Sequence, residues 1–183
     1  MSLLLLAAEM YLPEPLKRRK LEELISLTAA AFGRPAPSAA GKSYGDLLDE
    51  YARFSRDSAR ELIAGGQGLE ATREKLYWNA LRLGADLRRT FRVGGATDDV
   101  MRAARVVYRG LRIDFRGSPG GEVVIGRCYF SRYYSPAVCQ VMSALDRGLL
   151  AGLSGGRQLQ FSQRITDGAD RCVARLCAQG AEP

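Results

Sequence analysis

The sequence predicts an α+β fold: a helical N-terminal half packed with an antiparallel four-stranded sheet, built as hairpin–helix–hairpin in the C-terminal half. Two observations carry this. Apolar residues recur at helical spacing up to about residue 108 and then switch to alternation, the period of a strand. Glycine pairs or clusters at Gly65-Gly66, Gly94-Gly95, Gly117 to Gly121 and Gly155-Gly156 punctuate the chain between those runs. With 183 residues and an apolar fraction of 46%, one core is affordable. The chain therefore reads as a single domain, 1–183, with a helical part at about 13–108 and an α+β part at about 109–178.

The first helix is expected after Pro13 and Pro15, with Leu16, Leu21, Leu24, Ile25 and Leu27 giving its apolar face. Gly33-Arg-Pro-Ala-Pro-Ser38 is a loop. Ser43 is placed to cap the next helix, with Asp46 three residues on. Leu47, Leu48, Tyr51, Phe54, Ser58 and Leu62 follow at helical spacing, and Gly65-Gly66 ends the run. A third helix covers about Leu69 to Arg89. A short fourth one opens at Asp98-Asp99, where acids favour the positive helix end.

Leu111, Ile113 and Phe115 then alternate with charged residues, as on a half-buried strand. Gly117-Ser-Pro-Gly-Gly121 is hairpin chemistry, and Val123 to Phe130 is the return strand. Pro136 to Leu150 is a helix. Leu159, Phe161 and Ile165 alternate with Gln158, Gln160, Ser162 and Arg164 as a third strand, and Arg171 to Ala178 is the fourth.

Charge and composition narrow the function classes. The net charge is +7, but the arginines are scattered rather than gathered into a stripe with interleaved aromatics, so no nucleic-acid partner is expected. The dense run Lys17-Arg-Arg-Lys20 is followed by Glu22 and Glu23, as on a solvated helix face. The N-terminal Leu-rich run lacks a basic lead and falls far short of the ~20 residues that span a bilayer. No membrane partner and a cytoplasmic location are the expectation. Four cysteines without a CxxC pair suggest neither a disulfide scaffold nor a zinc ribbon. The amphipathic helices between 43 and 89 can pack internally or form a homodimer face.

The sequence contains no histidine, so any catalysis or metal binding falls to thiols, carboxylates, amides and hydroxyls. Side-chain parity brings candidates together. Val124, Cys128 and Phe130 are expected on one strand face, and Cys172, Ala174 and Leu176 on another, leaving Cys177 on the opposite side. Cys139, Met142, Ser143 and Asp146 form a stripe at i, i+3, i+4, i+7. Packing that stripe on the sheet lets Cys128, Cys139 and Cys172 meet, with Asp146 or Asp170 as a nearby carboxylate. Three readings stay open: inert core thiols; a thiolate nucleophile activated by Arg127, Arg171 or a helix N-terminus; and a zinc shell of Cys128, Cys139, Cys172 and a carboxylate. Asp146 on an apolar stripe costs several kcal/mol unless it is paired or at the edge.

On the Cys128-Tyr-Phe strand end, the Pro136-Ala-Val-Cys139 helix start and the Gly168-x-x-x-Cys172 turn, the chain resembles the L-2-amino-thiazoline-4-carboxylic acid hydrolase-like family. The Gly-x-x-x-Cys hairpin also looks like that of 4-vinyl-reductase-type small-molecule-binding domains, whose cysteines near this hairpin can bind zinc. The first resemblance implies hydrolysis of a cyclic C–N bond, of the amidine or thiazoline kind. Cys128, Cys172, Asp146 and Asp170 would then be the catalytic groups, with Arg127, Tyr129 and Met142 contacting the substrate. The second implies a non-catalytic small-molecule-binding or sensor module. One departure stands out: such hairpins read Gly-Asp-x-x-Cys, whereas here Ala169 holds the aspartate position and Asp170 follows it.

Overall fold

A computed structural model describes residues 3–178. Its architecture is α+β, with six helices and a four-stranded antiparallel sheet in the C-terminal half. The helices are α1 (Leu3–Met10), α2 (Glu14–Phe32), α3 (Tyr44–Gly65), α4 (Leu69–Phe91), α5 (Thr97–Gly110) and α6 (Pro136–Ser154). The strands are β1 (Phe115–Gly117), β2 (Glu122–Ile125), β3 (Gln158–Gln163) and β4 (Cys172–Cys177). They lie in the order β1-β2-β4-β3, so the second hairpin joins the first through β2 and β4. Among the described residues no helix is long and apolar enough to cross a membrane.

Local chemistry sets the helix ends. The Ser43 hydroxyl accepts from Asp46 N–H at 3.2 Å, the reciprocal half of a capping interaction with the Asp46 carboxylate. Ser135 caps α6 in the same way, with Pro136 at the first helical position. Helix α1 was not foreseen; its Leu5 and Ala8 are buried against the core, and Arg109 of α5 donates to the Ala8 and Glu9 carbonyls at its end.

The centre of the molecule is the crossing of α4 and α6. Glycines at Gly84, Gly148 and Gly152 let the two backbones touch. A Cβ at Gly148 would run into the Tyr77 carbonyl, and one at Gly152 into the Leu81 carbonyl and the Ala85 nitrogen. No side chain fits there. The α6 residues around this seam, Leu149, Leu150, Ala151 and Leu153, are buried.

Three strand boundaries differ from expectation; the third strand ends at Gln163, and Ile165 falls in a short helical turn, Ile165–Asp167. The first strand begins only at Phe115, because the chain after α5 is still unwinding: Arg112 adopts φ 56°, and Ile113 N–H returns to the Tyr108 carbonyl. The second strand stops at Ile125 rather than continuing to Phe130. Beyond it, Gly126 and Arg127 exchange backbone bonds with Asp114, and Tyr129–Arg132 curl into a tight helical turn. Val123 and Ile125, not Val124, face the core. The shared face of Val124, Cys128 and Phe130 is therefore not formed.

Candidate ligand-binding site

Between α2, α4, α5, α6 and the inner face of the sheet lies a cavity of about 180 Å³. Its walls are overwhelmingly apolar: Leu21, Leu83, Leu87, Ile125, Phe130 and Leu149 among them. Buried tyrosines contribute rings rather than hydroxyls. The Tyr51 hydroxyl is bonded to Thr28 at 3.1 Å and that of Tyr134 to Ser55 at 2.6 Å, both within the protein. Each polar tip is satisfied by a helix hydroxyl, so the rings can line the space at no hydrogen-bonding cost.

The stripe on α6 faces this cavity, since Cys139, Met142, Ser143 and Asp146 all line it. Cys128 reaches it from the chain beyond β2, and Cys172 from the inner face of β4 opposite Ile125. The three thiols thus share one cavity, although Cys128 arrives by the turn after the strand and not by strand parity. Cys177 lies on the other face, its thiol 3.7 Å from the Gln160 amide oxygen. The Cys172 sulfur accepts from Ile165 N–H at 3.3 Å.

The thiols are held in their neutral form. Burial pushes Cys128 up to about 12, against the lowering effect of the Phe130 and Ser131 backbone groups. Burial likewise raises Cys139 and Cys172, with Asp146 adding to the rise at each. The Thr166 hydroxyl stands beside Cys139 and partly offsets the shift, though it lies outside hydrogen-bond geometry. Zinc would need these thiols gathered and ionised. Among the described residues no group of three or more cysteine or carboxylate side chains is arranged to hold a metal ion. The shell of Cys128, Cys139, Cys172 and a carboxylate does not fit this geometry.

Asp146 is the charged group of the α6 stripe. Desolvation raises its carboxyl to about 6, against the lowering effects of Tyr108, Arg164 and Arg147. Tyr108 donates to Asp146 Oδ1 at 2.7 Å. That tyrosine is fixed in turn by stacking on Phe115, with ring centroids 4.8 Å apart. The partner that Asp146 required is thus supplied from α5.

Other predicted site residues lie elsewhere. Arg127 is exposed and does not line the cavity. Asp170 is exposed on the turn before β4, beside Gly168 and Ala169. Tyr129 is buried, but its hydroxyl donates outward to Asp49, which also accepts from Tyr133 and from Arg132 at 2.9 Å. Those three pairings clamp the turn after β2 onto α3 and hold the Asp49 carboxyl below its usual range.

Arg164 was expected to point away from the core, and instead it lines the cavity. The cause is a β-bulge. Phe161 pairs with Ala174 but Gln163 pairs with Val173, so two steps on β3 match one on β4. The extra residue, Ser162, reverses parity beyond it. Gln163 falls on the outer face, and Arg164 turns inward, its guanidinium 4.7 Å from the Phe161 ring centre. Tyr108 was equally unremarked, though a tyrosine on the buried face of a helix must find a partner.

No family model and no curated protein matches the chain.

Proposed function

We propose that the protein is a binding module for a small, largely apolar ligand held in the central cavity. The observation that carries this is a largely apolar space in which the Tyr51 and Tyr134 hydroxyls are turned to Thr28 and Ser55. A cavity of this volume accepts apolar guests of about the size of benzene or larger. The neutral thiols weigh on the same side. A cysteine nucleophile acts as the thiolate, and none of Cys128, Cys139 and Cys172 is lowered toward neutrality. On this reading the thiols are soft, polarizable wall atoms, the role Met142 also plays beside them.

The test is a fluorescence titration with N-phenylnaphthylamine, a neutral probe that brightens in apolar surroundings. Saturable one-to-one binding is expected, together with its loss in a folded Ser143→Phe variant, whose ring fills the cavity. Binding unaffected by that substitution would place the probe elsewhere and overturn the reading.

A further inference from the structure

Five buried side-chain polar atoms lack a hydrogen-bond partner among the described residues: Glu50 Oε2, Arg73 Nε, Arg147 Nε, Arg164 Nε and Thr166 Oγ1. Four of them belong to one neighbourhood. Arg147 on α6 is electrostatically coupled to Arg73 on α4 and to Arg164 beyond β3, and Thr166 and Arg164 both act on the Cys139 thiol. A buried N–H left unbonded costs about 1–3 kcal/mol. Concentrating several such groups in one neighbourhood is expensive unless something occupies them.

Charge points the same way. The carboxylates acting on Arg147 are Glu70 and Asp146. Glu70 is taken by Arg73 Nη1 at 2.6 Å, and Asp146 accepts from Tyr108. Among the described residues no carboxylate lies within ion-pairing distance of Arg147 or Arg164. Around Arg147, three guanidiniums, its own included, face two carboxylates, an excess of one positive charge even when both acids are ionised. Burial lowers the Arg147 pKa, and repulsion from Arg73 and Arg164 lowers it further. Arg164 and Thr166 are at the same time part of the cavity wall.

We propose that Arg164 and Thr166 at the cavity wall, reinforced by the positive charge of Arg147 and Arg73 beside them, form an oxyanion site, which takes the carboxylate or phosphate head of a ligand whose apolar body lies in the cavity. This rests on the binding reading above and adds the ligand's polar end. Guanidinium forks suit both heads, because their paired N–H groups match two oxygens of a carboxylate or phosphate. The bulge at Ser162 is what delivers Arg164 to that junction, and bulges serve to re-aim side chains in this way.

Displacement of N-phenylnaphthylamine from the full chain by octanol, octanoate and octyl phosphate tests this near neutral pH. The anions are expected to displace the probe at concentrations about tenfold or more below octanol, as one charge-assisted contact gives. In Arg164→Gln and Arg147→Gln, each checked by circular dichroism, the anions should fall to the level of octanol in the same variant. Preference for octyl phosphate over octanoate assigns the head to the phosphate class, and the reverse assigns it to carboxylates. Equal displacement by all three compounds overturns the oxyanion site while leaving the cavity reading intact, as does a preference surviving in both variants. Failure of the probe and of octanol to bind at all overturns both.

Discussion

Against α4, helix α6 presents Gly148 and Gly152, and the backbones close to contact; against the sheet it presents Cys139, Met142, Ser143 and Asp146, and a cavity stands open. One helix thus carries a seam packed as tightly as backbone allows and a wall that leaves space unfilled. The seam's closest contacts are glycine against backbone. The wall contains a carboxylate whose burial works against its charge. Natural proteins concentrate stability in the first kind of region and tolerate its loss in the second, where function needs room and unmet polar groups.

The largest effect should come from breaking the seam. Gly152→Ala puts a methyl group into the Leu81 carbonyl and the Ala85 nitrogen. Backbone cannot yield as a side-chain tip does, so a loss of about 3 kcal/mol or more is expected in a denaturant titration. A loss under about 1 kcal/mol would mean that the helices separate easily and that the contrast is overstated.

The wall should respond in the opposite direction. Asp146 has a folded pKa near 6, above that of an unfolded aspartate. A carboxyl shifted upward favours folding while protonated, so this stabilisation is present below about pH 4 and is lost as pH rises through about 6. Asp146→Asn keeps an acceptor for Tyr108 and removes the charge. The variant should exceed the native chain by roughly 1–3 kcal/mol at neutral pH, with the gap vanishing in acid. A stability difference that does not change with pH would show that Asp146 is not the strained group.

Smaller effects sharpen the wall itself. With Cys128 pushed up to about 12, its thiol should react with a disulfide reagent at mildly alkaline pH far more slowly in the folded chain than in denaturant. Cavity ligands should slow Cys139 and Cys172 further. Cys177, outside the cavity, should show no ligand protection, and Cys177→Ser should change stability by less than about 0.5 kcal/mol.

The same contrast explains what could be read from the residues. Periodicity located α2 to α6, because long amphipathic runs ended by glycine have few alternatives. Parity on β4 held, with Cys172, Ala174 and Leu176 inward and Cys177 outward, because that strand is central and paired on both sides. It failed on β2, where the chain leaves the sheet at Gly126, and on β3, where one bulged residue reverses Gln163 and Arg164. Bulges and strand exits depend on tertiary pairing that local pattern does not encode. Hence the α6 half of the site was visible, including Asp146, while Tyr108 and Arg164 were not. Arg127, Tyr129 and Asp170 lie close in sequence to Cys128 and Cys172, but the turns flanking β2 and β4 carry all three away from the cavity.

The most direct test of the central claim is a backbone-amide chemical-shift titration of the isotope-labelled chain with octanol. Saturating shifts confined to cavity residues such as Cys139, Met142, Ser143, Asp146 and Cys172 are the predicted result. Shifts centred instead on exposed apolar residues such as Trp78, or no saturable shifts, would contradict it.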